Sequence, residues 1–351
     1  MHSDFLIELS CADAIAGDEG EVRHLLQEKI SNMGFAEVFY DGLGSLIVHL
    51  PPTKTEQGKA AKLLFMAHMD EVGFIVRSIS PIGMLYLLPV GHVLPKSCDM
   101  QLVRLTADDG RKLRGILNST RDDNSVISDI YTDLGFDSEA EVRDYGVAEG
   151  RMVTFDTNAS MLSDERVAGK ALDDRVGCAA LLKALDLLNQ QSERINDVYI
   201  AFSSSEEVGT RGGKTVADLV KPDIAVAVDT ANHPEMDRGF RNHRQLGAGF
   251  MLEHYDKTMS PNRDLLRFAK ALFEKHELSY QRDMFGGGGT DAGLAHLVDG
   301  GRLALVIGIP LRYCHASCSI ADLRDIEGAA NAVAALAQEL DAAQLDSFLA
   351  W

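Results

Sequence analysis

Four short apolar segments of this chain each lead to a histidine or an acidic side chain at or just past the end of the segment. Runs of this length are typical of buried strands, and ligands of open α/β sheets bind where the carboxyl ends of parallel strands meet. One such residue alone is most simply a solvated or helix-capping side chain, but several at the same sheet edge favour a single site. The residues are His68 and Asp70 after segment 62–67, Glu206 and Glu207 after 198–203, Asp229 after 224–228 and His315 beyond 303–307, with Asp173 and Asp174 at the start of a helix between the first two strands.

The chemistry that these side chains could perform is metal-dependent hydrolysis. Two histidines with several carboxylates form a mixed nitrogen and oxygen donor set that suits zinc, cobalt or manganese. A carboxylate that bridges two ions would let them activate a water and polarise a carbonyl together, and an acid that is not a ligand would then move the proton. Glu206 and Glu207 fit this division because neighbouring side chains on an extended segment point in different directions. Asp70 is well placed to hold the second ring nitrogen of His68.

The elements that must position these residues show two different patterns along the chain. Residues 1–71 and 166–351 alternate helical and strand-like segments, which is typical of an α/β domain. Residues 72–165 instead contain short strand-like segments separated by Gly, Asp and Asn turns, with few helices. We therefore expect a catalytic α/β domain formed by 1–71 and 166–351, interrupted by a smaller β-rich domain formed by 72–165. The predicted helices are 18–33, 173–189, 264–275 and 322–340.

The composition disfavours nucleic acid and membrane surfaces as partners. The chain has 351 residues, of which 46% are hydrophobic, and its formal net charge of -19 would repel phosphate backbones and anionic lipids. No signal peptide is recognisable, and no apolar run approaches the length of a membrane span. The five scattered cysteines indicate free thiols in a reducing compartment. We therefore expect a cytoplasmic protein.

Six motifs give the chain a resemblance to a known enzyme family. In order and spacing they resemble those of the TET-type dinuclear metalloaminopeptidases, which include glutamyl and deblocking aminopeptidases and endoglucanase-like relatives. The motifs span nearly the whole chain, which makes the combination highly specific. They are Ala67-His68-Met69-Asp70-Glu71-Val72-Gly73-Phe74, Gly169-Lys170-Ala171-Leu172-Asp173-Asp174-Arg175, Ser205-Glu206-Glu207-Val208-Gly209, Val228-Asp229, Gly289-Thr290-Asp291-Ala292 and Arg312-Tyr313-Cys314-His315.

The resemblance implies a role for each residue of the candidate site. Two divalent metal ions (zinc, cobalt or manganese) would be bound per subunit, and Glu206 would be the general base that takes a proton from the bridging water and passes it to the leaving amine. The bond between Asp173 and Asp174 would be cis, a feature of functional sites. The implied ligands are His68 and Asp229 on one metal, Glu207 and His315 on the other, and Asp173 between them, with Thr290 and Asp291 near the substrate.

The resemblance also implies the fold, the activity and the assembly. The catalytic domain would have the mixed sheet of zinc peptidases and related phosphorylase/hydrolase-like folds, and the insert would be a small β-barrel used in assembly and substrate access. The enzyme would remove residues one at a time from the free amino end of peptides. Its partners would be peptide substrates and copies of itself, in homo-oligomers of up to twelve subunits around a hollow interior.

Three segments depart from the family pattern while leaving the implied ligands intact. They are Gly91-His92-Val93-Leu94-Pro95 in the insert, Gly247-Ala248-Gly249, and Ala316 after the last histidine. We expect these departures to bear on assembly and substrate preference. Arg241, Arg244 and Arg312 could attract acidic substrate side chains, although solvated surface cations are the simpler interpretation of each.

Other functions are compatible with parts of this sequence. A deacylase of N-acylated amino acids could use the same metal site, and a binding protein could keep the fold without catalysis, although none of the implied ligands nor Glu206 is lost. Cys314 and Cys318 flank His315 without a second pair of ligands, so packing residues are a better interpretation than a zinc knuckle. The glycine run at 286–289 lacks the Lys-Ser or Lys-Thr of a phosphate-binding loop, and Ser203–Ser205 does not form the elbow of a serine hydrolase.

Overall fold

The chain folds into an eight-stranded sheet covered by helices and a closed six-stranded barrel. The structure is a computed structural model, and it describes residues 3–34, 37–54, 60–232 and 243–350. The strands are β1 (Glu37–Tyr40), β2 (Leu46–Leu50), β3 (Lys62–His68), β4 (Gly73–Ile79), β5 (Leu85–Val90), β6 (Gln101–Thr106), β7 (Lys112–Arg121), β8 (Ile127–Asp133), β9 (Met152–Phe155), β10 (Ser160–Met161), β11 (Arg166–Gly169), β12 (Asp197–Ser203), β13 (Ile224–Asn232), β14 (Phe250–Glu253), β15 (Tyr280–Asp283), β16 (Leu303–Leu311) and β17 (Ser319–Asp322). The helices are α1 (Ser3–Cys11), α2 (Gly20–Asn32), α3 (Glu139–Asp144), α4 (Leu172–Asn189), α5 (Arg211–Val220), α6 (Arg263–Lys275), α7 (Ala292–Ala295), α8 (Leu323–Glu339) and α9 (Ala342–Phe348).

The large sheet is mixed, with the order β1-β2-β12-β3-β13-β16-β14-β15. Its central strands β12, β3, β13 and β16 are parallel, whereas β2 and β14 pair antiparallel with the outer two of them. Every residue of β16 is buried, because a central strand with helices on both faces has no solvent-facing side. The parallel core brings the ends of the four strands to one edge, and the register sets Ser203 beside His68.

Helices cover both faces of this sheet. Helices α4 and α8 pack together and against the central strands, while α5 and α7 lie near the same strands with a separate apolar cluster. In the part of the chain that the structure describes, no helix is both long and apolar enough to cross a membrane. All five cysteines are free thiols.

The inserted barrel closes in the order β4-β5-β8-β7-β6-β9 and has an apolar core of its own. Phe74 and Phe155 pack edge to face in this core, with ring centroids 5.7 Å apart. The structure therefore confirms an α/β fold with a mixed sheet and an inserted β-barrel. Strand β10, which lies within the range predicted for the insert, pairs with β11 in a small sheet that continues through β17.

Two strands extend beyond their predicted ends. Strands β13 and β16 pair with each other without interruption from Ile224 and Leu303 to Asn232 and Leu311. The backbone hydrogen bonds of this parallel ladder continue past the apolar residues from which the strands were predicted. Asp229 consequently lies within β13, level with Gly308 of β16, and does not follow the end of the strand.

A buried carboxylate connects the barrel to the large domain. Asp13, in the loop after α1, is only 2% exposed, and it accepts hydrogen bonds from Arg104 of β6 and from the Thr154 hydroxyl of β9 at 2.8 Å. Lys112 of β7 also pairs with it, and the buried Lys170 ammonium lies 3.1 Å away. Burial alone would raise the pKa of Asp13, but the neighbouring cations, led by Lys170, hold it well below its ordinary value. The ionised carboxylate therefore stabilises the contact between the domains.

We expect the substitution Asp13→Asn to destabilise the protein by about 3 kcal/mol at pH 7, because it leaves buried cations without their partner. The stabilisation by the depressed pKa is complete above the unfolded value of about 3.9 and is lost as the pH falls towards the folded value. The difference between the two proteins should therefore shrink below about pH 4. Urea unfolding at a series of pH values measures it.

The exposed pair of Lys214 and Asp218 on α5 supplies the control. Asp218→Asn should change the free energy of unfolding by less than about 1 kcal/mol at any of these pH values. Equal effects of the two substitutions would contradict a special contribution from Asp13.

Candidate metal centre

Asp173 lies at the centre of the cluster, with one carboxylate oxygen towards each histidine. Its Oδ1 is 3.1 Å from Nε2 of His68, and its Oδ2 is 3.2 Å from Nε2 of His315. Asp173 is brought there by the start of α4, where Ala171 has a φ of 54° and the peptide bond between Asp173 and Asp174 is cis. One carboxylate in contact with two separate histidines is an arrangement in which two ions could share a ligand.

The two adjacent glutamates after β12 face different histidines. Glu206 Oε2 is 4.0 Å from Nε2 of His68, while Glu207 Oε1 is 3.4 Å from Nε2 of His315. Ser205, which precedes them, has a φ of 59°, and this left-handed turn ends the extended strand. Glu207 Oε1 is buried, and it has no hydrogen-bond partner among the residues that the structure describes. A buried carboxylate oxygen without a partner is unfavourable unless a cation or an ordered water satisfies it.

Asp70 holds the backbone of both glutamates. Its Oδ1 accepts the N–H of Glu206 and its Oδ2 accepts the N–H of Glu207, each at 3.0 Å. The nearest partner of His68 Nδ1 is the backbone carbonyl of Asp70 at 3.0 Å, and the carboxylate lies further away at 3.5 Å. Asp70 therefore orients the histidine mainly through its main chain and the glutamates through its side chain.

Asp229 and Asp174 are two further carboxylates beside His68. Asp229 Oδ1 is 3.9 Å from the His68 Nε2. Asp174 accepts the N–H of His68 at 3.2 Å and that of Gly177 at 3.0 Å. A Cβ at Gly177 would lie 2.3 Å from Asp174 Oδ2, so only glycine lets this carboxylate fold back against the helix. Both oxygens of Asp174 thus accept backbone N–H groups, whereas Asp229 accepts the N–H of Thr230 through Oδ1 at 2.6 Å.

The electrostatics of the cluster indicate a shortage of positive charge. Burial, opposed by His315 and reinforced by neighbouring acids, raises the pKa of Glu207 to about 8. Burial likewise raises the pKa of Asp229 to about 7 and that of Glu206 well above its ordinary value. Burial alone would raise the pKa of Asp173, but hydrogen bonds from His315 and His68 outweigh this effect. They hold the pKa well below its ordinary value, so that carboxylate is ionised. Divalent cations would supply the missing charge.

Three overlapping groups of donors could hold an ion. In each group the ligand atoms lie within 4.8 Å of one another. The donor chemistry of carboxylate and imidazole, together with the unpartnered Glu207 oxygen, fits divalent zinc, cobalt or manganese. The groups are His68 with Asp173 and Glu207, His68 with Asp174 and Asp229, and Asp173 with Cys314 and His315. All five predicted ligands are among them.

The predicted substrate residues make contacts within the fold. Asp291 accepts hydrogen bonds from the Ser203 hydroxyl and from the Gly213 N–H, the latter at 3.0 Å. Thr290 is 5% exposed, and its hydroxyl accepts the N–H of Ala292. These bonds fix the glycine-rich loop to the end of β12 and the start of α5. Their role towards a substrate stays a prediction.

The three arginines considered for acidic substrates differ. Arg244 is buried and forms a bidentate pair with Asp283 at 3.0 and 2.7 Å, so the interpretation as a solvated surface cation is wrong for it. Arg312 is half-buried, and its buried Nε has no hydrogen-bond acceptor among the described residues. Arg241 lies outside the described residues.

Two features of the site were missed in the sequence. Cys314 was expected to be a packing residue, but its Sγ is 2.8 Å from Asp173 Oδ2, and burial raises the pKa of the thiol to about 12. Gly91, in the departing insert segment, has a φ of 76°, and a Cβ there would lie 3.2 Å from Glu207 Oε2. The same segment donates the Leu94 N–H to the carbonyl of His315 at 3.1 Å. For Cys314 the available signal was its position directly before His315. The contact between Gly91 and Glu207 leaves no signal in the local sequence.

Comparison with known proteins finds relatives along most of the chain. The sequence model of the M42 glutamyl aminopeptidase family matches residues 44–331. A lysyl aminopeptidase of Pyrococcus furiosus is 31% identical over 87% of this chain and 87% of its own length. A glutamyl aminopeptidase of Lactococcus lactis is 31% identical over 89% of each chain.

Solved structures are similar over the whole fold. A TET aminopeptidase from a marine-sediment Thaumarchaeota archaeon superimposes with a TM-score of 0.91 at 30% identity, over 99% of each chain. The TET1 peptidase of Pyrococcus horikoshii, which can assemble into a tetrahedron or a large octahedral shell, has a TM-score of 0.84 at 29% identity, over 96% of this chain and 99% of that chain.

We expect Asp70→Asn to weaken the binding of divalent metal about 10- to 100-fold, the usual effect of losing a group that orients ligands. The amide oxygen of asparagine can replace only one carboxylate oxygen, so it would accept the N–H of Glu206 or of Glu207 but not both. The amide NH₂ would then face the remaining N–H, donor against donor. Chelator competition with zinc measures the affinity.

Asp325→Asn is a matched control, because Asp325 also accepts two backbone N–H groups, those of Gly247 and Gly249 at 2.7 and 2.8 Å. This variant should lose comparable stability and keep its metal affinity. If Asp70→Asn binds zinc as tightly as the control does, the orienting role of Asp70 is wrong.

Proposed function

The chain belongs to the M42 glutamyl aminopeptidase family, and we propose that it hydrolyses the first peptide bond of peptides with a free amino terminus in a reaction that requires two divalent metals. The observation that carries this proposal is the position of Asp173, whose two oxygens each contact a different histidine. Two adjacent glutamates beside those histidines supply one further donor and one further acid.

We propose that the five predicted ligands divide as their contacts suggest. His68 and Asp229 would hold one ion, Glu207 and His315 the other, and Asp173 would serve both. Bound ions would polarise the scissile carbonyl and lower the pKa of the attacking water. Zinc, cobalt and manganese all suit this donor set.

Glu206 is the proposed general base. It is 9% exposed, it lies near His68, and among the described residues its side chain has no hydrogen-bond donor. Burial raises its pKa, which makes the carboxylate a stronger base. It would take the proton of the attacking water and deliver it to the leaving amine nitrogen. Asp70 fixes the peptide units of Glu206 and Glu207 and so holds this base beside the ligand.

Paired substitutions at adjacent positions test these roles. We expect Glu206→Gln to lower kcat about 10²- to 10⁴-fold while the metal content stays unchanged. Glu207→Gln should instead lose metal, because it removes a ligand. Metal content by atomic absorption and initial rates at saturating metal measure the two effects. Loss of metal in Glu206→Gln would contradict the role of Glu206 as the general base, and so would full activity of this variant.

A substrate panel tests the reaction itself. Aminoacyl chromogenic amides and their N-acetylated versions would be assayed after chelation and again after addition of zinc, cobalt or manganese. We expect metal-restored cleavage of the free-amine compounds only, with the order of rates giving the preferred first residue. Cleavage of the acetylated compounds alone would indicate a deacylase, and no cleavage with metal bound would indicate a binding protein of the same fold.

We propose further that the protein works as a homo-oligomer, of up to twelve subunits, in the cytoplasm, and that the barrel contributes to assembly. The TET1 peptidase of Pyrococcus horikoshii, which can assemble into a tetrahedron or a large octahedral shell, supports the oligomer. The five free cysteines support the cytoplasmic location. The barrel exposes Leu88, Leu102 and Ile116 at 44%, 54% and 42%, and the last two are direct partners on β6 and β7. Apolar side chains grouped on a surface favour a protein partner.

We expect the purified protein to have a mass well above the 38.2 kDa of one chain, and the double substitution of Leu102 and Ile116 by Asp to lower it. Light scattering after size exclusion measures the mass. Leu219→Asp on α5 is the control, because Leu219 is similarly exposed at 51% but lies on the large domain. A monomeric wild type would contradict the proposed assembly, and equal effects of the variants would contradict the role of the barrel.

A further inference from the structure

A thiol lies inside the cluster of proposed metal ligands. Cys314 Sγ is 2.8 Å from Asp173 Oδ2, the same oxygen that His315 Nε2 approaches to 3.2 Å. The sulfur, the carboxylate oxygen and a ring nitrogen of His315 all lie within 4.8 Å of one another. Three different donor types therefore converge on one point.

An independent feature indicates that this point receives a cation. Glu207 Oε1 is buried, lies 3.4 Å from the same His315 nitrogen and has no hydrogen-bond partner in the described part of the chain. The Glu207 side chain is only 4% exposed, so its unpartnered oxygen is directed into the cluster. Asp173 and His315, which contact Cys314 or lie beside it, are therefore also neighbours of this oxygen.

The surroundings of the sulfur differ from those of the other nearby cysteine. Around Cys314 are Asp173, the Thr230 hydroxyl at 3.8 Å from Sγ and the Asn232 side chain, which accepts the Cys314 N–H at 3.4 Å. Cys318 Sγ instead contacts main-chain groups, the carbonyl of Ser319 at 3.8 Å and the backbone of Gly169. The contacts of Cys318 are thus with the main chain, whereas the S–H of Cys314 donates to the side chain of Asp173, a proposed metal ligand.

We propose that Cys314 is a direct ligand of the metal held by Glu207 and His315, with Sγ bound as the thiolate. This inference rests on the proposed metal centre. When the ion binds, the S–H bond breaks, the proton leaves to solvent and the sulfur lone pair forms the bond to the metal. A soft thiolate at this position favours zinc and cobalt over manganese, because manganese prefers oxygen donors.

X-ray absorption of the zinc-loaded wild type tests the proposal without any substitution. A zinc–sulfur distance of about 2.3 Å, beside nitrogen and oxygen ligands at about 2.0–2.2 Å, is expected. A spectrum of the zinc-loaded protein that contains only nitrogen and oxygen ligands would overturn the proposal.

Cobalt supplies a second readout. The cobalt-loaded wild type should show an intense thiolate-to-cobalt charge-transfer band in the near ultraviolet. Cys314→Ser and Cys314→Ala should lose this band, and Cys318→Ser should keep it as the matched control. Circular dichroism verifies that each variant is folded, and atomic absorption gives the cobalt bound per chain.

The outcomes separate this inference from the proposed function. An unchanged near-ultraviolet spectrum in Cys314→Ser with cobalt bound would overturn the thiolate ligand and leave the metal centre intact. Failure of the wild type to bind zinc or cobalt at all would overturn both. If both Cys314 variants lose the band while cobalt stays bound, and Cys318→Ser keeps it, Cys314 is established as a ligand.

Discussion

The structure depends on how it neutralises the carboxylates buried at one edge of the central sheet. Seven acidic side chains meet near two histidines there, and an unpaired buried charge is among the most unfavourable features a fold can contain. Three of them, Asp70, Asp174 and Asp291, accept backbone N–H groups from neighbouring elements and so serve the architecture. Asp173 is balanced by the two histidines. The remaining three, Glu206, Glu207 and Asp229, are the residues to which we assign catalysis or metal binding. Burial raises their pKa values, as it also raises those of Asp174 and Asp291.

This division explains why neighbouring acids in the sequence take different roles. Asp173 and Asp174 are adjacent, yet one faces both histidines and the other folds back on the N–H groups of His68 and Gly177. Glu206 and Glu207 are also adjacent, and the single carboxylate of Asp70 holds both of their N–H groups. In the second pair the hydrogen bonds fix the backbone, which leaves both side chains available to the cluster. Preorganisation of this kind lets ligands and a base keep their positions before substrate arrives.

The barrel is part of the architecture around the proposed metal centre. Asp13 joins the barrel to the large domain through Arg104, Lys112 and Lys170, and the loop beginning at Gly91 lies directly against Glu207. A displacement of the barrel would therefore reach Glu207, a proposed metal ligand, through a contact of a few ångströms. The segment 91–95, which departs from the family pattern, therefore lies beside the site. From the sequence we expected it to bear on assembly and substrate preference.

The sequence by itself determined the fold class and the residues of the cluster. Buried parallel strands are continuous apolar runs, so the positions of His68, Glu206, Glu207, Asp229 and His315 after such runs were visible in order along the chain. Only the tertiary structure decided which oxygen serves which partner, because hydrogen bonds between distant segments leave no local pattern. It showed that the Asp70 carboxylate binds the glutamate backbone and that strand β13 continues past Asp229. It also brought Gly91 and Cys314 to the ligands, the first from another domain and the second through a turn in which Tyr313 and His315 have φ values of 59° and 63°. Side-chain direction at such turns depends on packing with the rest of the molecule, which a linear sequence does not contain.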